Sequence, residues 1–267
     1  MGETLNEAAE RPVWNVATPP GGWGTPWPQC VELAKSLPST HWSLVGGLMV
    51  QLHSAAASLT VTRPTADIDI VLHVETGAIT SAGITEVLGG LGYRLQDSVD
   101  KNAKAHRFIR DDEQIDVMVA DHLPPETVPT FGGRDSFQMP AGTQALKRTV
   151  NCRIDIGNGE TVMISVPNTL GALALKGAAY KEDNKDRERH LDDGAVLCAT
   201  LKNPLETVKE MGGSDRSRIN ALDAKLSDPN HRSWMTLEAA DRTHGQDVLR
   251  ILSANPQTVM PPKSRRG

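Results

Sequence analysis

The segment ADIDIVLHV at residues 66–74 constrains the fold more than any other stretch of the chain. Asp67, Asp69 and Val71 alternate with Ile68, Ile70 and Leu72, and a period of two marks a strand with one buried face. A strand of this kind needs neighbours. The chain offers His41–Val45 before it, then Lys104–Arg110 and Glu113–Ala120 after it, the last two joined at Asp111-Asp112. In Glu113–Ala120, Ile115, Val117 and Val119 share one face, and Asp116 and Met118 share the other. Helices are predicted over Gln29–Leu37, ending before Pro38, over Leu48–Ala57, and over Ile79–Leu91, closed by Gly92.

The flanking segments read differently. Residues 1–28 end in ATPPGGWGTPWP; proline and glycine this dense predict an irregular arm, pinned by Trp14, Trp23 and Trp27. Residues 121–143 are also rich in proline and glycine, which predicts a functional loop or a boundary. A hairpin is expected from Cys152–Ile156 and Thr161–Val166 around Gly157-Asn158-Gly159. After Pro167 the pattern turns helical. Asn168 is placed to cap a first helix, followed by Asp186–Leu201, Pro204–Met211, Arg216–Leu226 and Trp234–Ser253. The expectation is an α+β fold: a mixed-sheet domain over 29–167, a helical domain over 168–255, and a disordered basic tail over 256–267.

Composition narrows the function classes. A net charge of −5 argues against coating long nucleic acid through its phosphates. Three cysteines, Cys30, Cys152 and Cys198, stand without CxxC spacing, so buried free thiols are expected rather than a disulfide framework or zinc site. No apolar run approaches the roughly 20 residues that span a bilayer, and the start MGETLNEAAERP lacks the basic and apolar regions of a signal peptide. A cytoplasmic protein with no membrane partner is expected.

Asp67 and Asp69 carry the chemistry. Two residues apart on a strand, their side chains leave one face, with Cα atoms about 6.5 Å apart. Carboxylates that close repel unless a cation lies between them, and hard oxygen ligands suit Mg²⁺, with Mn²⁺ as the substitute. A lone DxD is weak, because it also occurs on solvated edge strands. Three features raise its weight. Gly46-Gly47 ends a strand and opens a helix, where backbone N–H groups face an anion; a bare GG is also an ordinary tight turn. Arg63 and Thr65, in RPTADID, lie beside the pair. An arginine there can hold phosphate bidentately and Thr65 can fix the loop, although a surface arginine is as common. Asp116 adds a third carboxylate from a separate strand, and three carboxylates on one side can serve two metals.

VGG, a helix, RPTADIDI and a later strand carrying IDV together resemble the nucleotidyltransferase superfamily related to DNA polymerase β. Within it the chain looks like the AbiEii/AbiGii toxin family, which includes MenT-type tRNA nucleotidyltransferase toxins. The catalytic resemblance covers residues 42–120, with a looser one to about residue 200. It implies Asp67, Asp69 and Asp116 as ligands to two Mg²⁺ ions, an NTP as substrate, and transfer of an NMP to a tRNA 3′ end, with a cognate antitoxin as a possible partner. Many members have Gly-Ser where this chain has Gly46-Gly47, so the serine contact to triphosphate is missing.

The helical half adds candidates. Lys176, in LGALALKGAAYK, either snorkels to the surface or, as the resemblance implies, contacts the triphosphate. Arg187, His190 and Asp193 share one helical face, and Arg189 can pair with Asp193. A charged run of this kind is usually a solvated face, while the resemblance implies Asp193 facing the nucleotide, with Asp186 and Asp192 as substitutes and Arg187, Arg189 and His190 as auxiliaries. His106 and Arg107 could touch base or acceptor, but a structural role is the expectation for them, as it is for His73. Arg216, Arg218, Lys263, Arg265 and Arg266 are candidate phosphate contacts. Two other functions stay open: a small-molecule, antibiotic-type nucleotidyltransferase served by acidic Glu75, Asp97 and Asp111-Asp112-Glu113, and a catalytically silent nucleotide-binding partner protein.

Overall fold

The computed structural model describes residues 11–60, 64–100 and 103–255. It is α+β. The central sheet has six strands in the order β2-β3-β6-β5-β4, with β9 also beside β6. These are β2 (Trp42–Leu44), β3 (Asp67–Leu72), β4 (Arg94–Leu95), β5 (Arg107–Arg110), β6 (Glu113–Ala120) and β9 (Gln138–Met139). β3 runs parallel to β6, while β2 on one side and β5 on the other are antiparallel to their neighbours, so the sheet is mixed. β5 pairs with the first half of β6, and β9 runs parallel to its last residues.

Of the region expected to be an irregular arm, residues 1–10 lie outside the described residues, and two segments of the rest are regular. β1 (Val13–Val16) pairs in parallel with β10 (Thr149–Gly157), which forms a hairpin with β11 (Glu160–Pro167). α1 (Trp27–Ser36) begins directly after Pro26. Only the proline- and glycine-rich stretch between them is irregular, and the three tryptophans pin it. Trp14 packs edge-on against His53, Trp23 Nε1 donates to Asp155 O at 2.7 Å, and Trp27 Nε1 donates to Gln51 Oε1 at 2.7 Å. β1 is short and its partner lies over 130 residues away, so no local pattern announces it.

Residues 121–143 are likewise more regular than expected. They hold the small hairpin β7–β8 (Thr130–Phe131 and Arg134–Asp135), strand β9, and the start of α4 (Gly142–Leu146). The predicted single helix over Trp234–Ser253 is instead a 3₁₀ turn, Arg232–Thr236, and then α9 (Ala239–Ser253), with extended backbone at Leu237 between them.

α2 (Gly46–Ala56) follows β2 and packs on β3, and α3 (Ser81–Gly90) connects β3 to β4. After β11 come α5 (Thr169–Glu182), α6 (Glu188–Thr200), α7 (Pro204–Glu210) and α8 (Asp215–Leu226). Asn168 caps α5, accepting from Gly171 N at 3.0 Å. From Thr169 to Ala178 every residue of α5 is buried. A helix enclosed on all sides explains the composition of small and aliphatic residues with no polar stripe. Gly177 is required by a close approach: a Cβ there would lie 2.3 Å from Arg218 O on α8. One continuous apolar cluster runs from Val16 to Leu252 and joins sheet and helices. Cys30, Cys152 and Cys198 lie in it as free buried thiols, and no helix among the described residues is long and apolar enough to cross a membrane.

One ion pair ties the strand region to the helices. Arg148 donates to both carboxylate oxygens of Asp215, at 3.1 and 2.6 Å, and to Glu210 O at 3.1 Å. Asp215 is fully buried. Removing one partner strands a buried charge, so Arg148→Ala should cost about 3 kcal/mol of stability. Urea unfolding monitored by circular dichroism measures this, and a loss under about 1 kcal/mol would show the pair to be solvent-screened.

Candidate active site

Strand register builds the site. In the parallel β3–β6 pair Asp69 lies opposite Asp116, and in the antiparallel β5–β6 pair Asp116 lies opposite Arg107. Asp69, Asp116 and Arg107 therefore form one row across three strands, on the face away from the buried Ile68, Ile70, Ile115 and Val117. Asp67 stands two residues before Asp69 on the same face. Ligand oxygens of Asp67, Asp69 and Asp116 all lie within 4.8 Å of one another. Thr65 Oγ1 donates to Asp67 Oδ1 at 2.8 Å and fixes that carboxylate. Arg63 lies outside the described residues.

The cluster is electrostatically tense. Burial, and then the charges of Asp67 and Asp116, push the Asp69 carboxyl up to about 7, against the pull of Lys176 and Arg189. Closely spaced hard oxygens and a carboxyl resisting ionisation fit a divalent cation such as Mg²⁺ held by Asp67 and Asp69. Asp116 fits less simply. Arg107 Nε donates to its Oδ1 and Nη2 to its Oδ2, both at 2.9 Å, and His106 Nε2 lies 4.0 Å from Oδ2. Arg107, expected to be only structural, is part of the site. The two-residue turn at Asp111-Asp112 pairs Arg110 with Glu113 and so brings Arg107 opposite Asp116; that count was available from the sequence.

The glycine turn lies against the same cluster. Gly46 has φ +65°, and a Cβ there would sit 1.8 Å from Asp69 Oδ2. A side chain at position 46 is thus excluded by strain and by space together. α2 begins at Gly46 with no side-chain cap, leaving its first N–H groups beside Asp69. Lys176 Nζ donates to Gly46 O at 3.0 Å and pairs with Asp193 Oδ2 at 2.7 Å, both side chains buried. Lys176 does not snorkel, and of the three aspartates weighed, Asp186, Asp192 and Asp193, it is Asp193 that holds it. Asp192 instead accepts from Ser233 Oγ at 2.6 Å, and Asp186 N donates to Asp183.

α6 departs from the solvated face that its charge run predicts, because His190 and Asp193 are buried. Arg189 stays exposed and lies 3.3 Å from Asp183 Oδ2 rather than pairing with Asp193. Arg187 stacks over the Tyr180 ring at 4.2 Å and donates to Tyr180 O, away from the cluster. His73 is structural as expected, buried and 2.9 Å from Ser43 Oγ. Arg216 and Arg218 are spent on Leu252 O and on Gln144; Lys263, Arg265 and Arg266 lie outside the described residues.

A cavity of about 410 Å³ opens beside Asp69 and Gly46. One wall is apolar, with Met118, Phe137, Met139 and Pro140; the other is helical, with Lys176, Asp183, Arg189 and His190. Phe137 and Met139 were hidden in the proline-rich segment. They reach the site because Phe137 O accepts from Val119 N at 3.0 Å, alongside β6. Glu113 is committed to Gln29, Tyr93 and Arg110, and neither it nor Glu75 lines the cavity.

Two variants probe the electrostatics. An unfolded aspartate titrates at about 4 and folded Asp69 at about 7. The folded state thus binds more protons between these values and loses stability as pH rises through them. Metal-free Asp69→Asn should melt a few degrees above wild type at about pH 8, the gap closing as pH falls towards about 4. Equal melting curves at both ends would remove the tension. Arg107→Ala removes the guanidinium that holds both oxygens of Asp116, so the cluster should bind Mn²⁺ roughly tenfold more tightly by calorimetry. Weaker binding would show Arg107 to be needed for the cation site.

No protein-family model, curated protein or solved structure matches the chain, so the reading of this site rests on these residues.

Proposed function

We propose that the chain is a metal-dependent nucleotidyltransferase that moves an NMP from an NTP to an acceptor hydroxyl. The observation that carries this is the meeting of Asp67, Asp69 and Asp116 within 4.8 Å beside an uncapped helix start at Gly46. In this reading residues 29–167 form the catalytic domain and 168–255 its helical partner. Divalent ions, Mg²⁺ or Mn²⁺, would neutralise triphosphate charge and help activate the acceptor at the carboxylates.

The remaining roles belong to the chain. The N–H groups at Gly46-Gly47 would bind triphosphate oxygens in place of the absent serine. Lys176 adds a positive charge at that turn through its bond to Gly46 O. Asp116, oriented by Arg107, would take the proton of the attacking hydroxyl through a lone pair that Arg107 leaves free. As the acceptor oxygen bonds to the α-phosphorus, the bond to pyrophosphate breaks. Rate enhancement comes from positioning and fixed charge. The resemblance to MenT-type toxins makes a tRNA 3′ end the proposed acceptor. Mixed charge on the helical wall fits an RNA end better than a long duplex, and the committed Glu113 weakens the case for a polycationic drug.

A second reading has two ion pairs in its favour. Arg107 already neutralises Asp116, and Asp193 already neutralises Lys176, as suits a protein that binds nucleotide without transferring it. Incubation with α-labelled NTPs, Mg²⁺ or Mn²⁺, and either total tRNA or an aminoglycoside panel separates the readings. Label on tRNA is expected, abolished by EDTA and reduced at least about 10³-fold in Asp67→Ala or Asp69→Asn. Label on drugs alone would replace the acceptor. Binding without label in any arm would favour the silent partner.

A further inference from the structure

The helical wall of the cavity holds an acceptor with nothing to accept. His190 Nε2 lies 3.2 Å from Asp183 Oδ2. Asp183 follows the last turn of α5 and also collects the backbone N–H groups of Lys185 at 2.8 Å and Asp186 at 3.1 Å. These bonds hold its carboxyl down at about 2, so it is ionised and can only accept. The ring proton of His190 is therefore on Nε2, and Nδ1 carries the lone pair. Nδ1 is buried and has no hydrogen-bond partner among the described residues. Native proteins seldom leave such an atom unpaired without a functional reason.

Its surroundings define what it can take. His190 stands one helical turn before Asp193, which holds Lys176, so the ring neighbours the cationic end of the cavity. The other polar side chains among the described lining residues are all charged: Asp69, Lys176, Glu182, Asp183 and Arg189. Burial, and then the Lys176 charge, pull the His190 ring down to about 4. It is neutral at physiological pH, so it cannot hold a phosphate as a cation, and it is too weak a base to strip a hydroxyl. What remains is an uncharged acceptor on a residue that lines the cavity, together with the charged Lys176 and the apolar Phe137 and Met139.

We infer that His190 Nδ1 accepts a hydrogen bond from the nucleoside part of the bound nucleotide and so selects which nucleotide the cavity takes. This rests on the nucleotide reading of the site. The donor is an O–H or N–H group, which a nucleoside offers as a ribose hydroxyl, as an exocyclic amine or as a ring N–H of the base. His190 is thus a specificity residue, and Asp183 a positioning residue that fixes its tautomer.

Calorimetry with wild-type protein, Mg²⁺ and no acceptor tests this with matched pairs: ATP against ITP, CTP against UTP, and each against its 2′-deoxy form. The first two pairs replace an exocyclic amine and its neighbouring acceptor nitrogen by a carbonyl and a ring N–H, and the last removes a hydroxyl. Wild type should favour one member of one pair by about tenfold. His190→Leu should abolish that preference while melting within a few degrees of wild type. His190→Asn, which keeps an acceptor near the Nδ1 position, should restore part of it. A preference that survives in His190→Leu would overturn the inference, and so would a wild type that binds every member of each pair alike. A wild type that binds no nucleotide would overturn the nucleotide reading itself, an outcome distinct from indiscriminate binding.

Discussion

Mutual repulsion among three carboxylates governs the arrangement of this molecule around its cavity. Asp67, Asp69 and Asp116 lie within 4.8 Å of one another, a density of charge that a protein interior tolerates only with compensation. Two kinds are visible. Arg107 takes both oxygens of Asp116 from the neighbouring strand, and Asp69 resists ionisation, its carboxyl pushed up to about 7. Neither removes the excess: among the described residues, three carboxylates against the Arg107 guanidinium leave a net negative cluster, which a divalent ion would match. The sheet enforces this crowding. Asp69 and Asp116 are register partners on parallel strands, and a one-residue slip would turn one of them into the core.

The glycine turn depends on the same carboxylates. Because Asp69 reaches under Gly46, no side chain fits there, and the first turn of α2 stays open without a cap. A helix start with free N–H groups attracts anions, whereas the aspartates attract cations. A ligand that satisfies both carries negative charge and brings a metal with it, which is the character of a metal-bound polyphosphate. The apolar wall of Met118, Phe137 and Met139 supplies what the phosphates do not use, a surface for a flat, weakly polar group.

How much of this was legible follows the range of the interactions. The alternation over Asp67–Leu72 is local, and it yields both the strand and its acidic face. The Asn168 cap and the Gly157–Gly159 turn are local too, and their elements lie where the residues say. Arg107 was within reach, since a two-residue hairpin turn fixes every pair behind it, but its role depended on counting back from the turn rather than on any motif. β1 and β9 were not legible. They are four and two residues long, and each exists only because a distant strand offers an edge. The burial of His190 and Asp193 was hidden for a related reason. A charge run predicts a solvated face until a buried helix such as α5 is known to pack against it.

Lys176 shows why burial matters more than charge here. A buried ion pair adds little stability over apolar residues of similar volume, so the Lys176–Asp193 pair, at 2.7 Å, is better understood through the geometry it imposes. Lys176 holds the Gly46 carbonyl at 3.0 Å. The peptide unit is planar and trans, so fixing that carbonyl fixes the Gly47 N–H in the opposite sense. Asp193 in turn holds the ammonium, and Gly177, the next residue on α5, is wedged against the backbone of α8 at Arg218. The orientation of one N–H at the mouth of α2 is thus set by a chain of contacts running through three helices of the C-terminal half. That coupling gives the helical half a part in the site that its distance in sequence from the aspartates does not suggest.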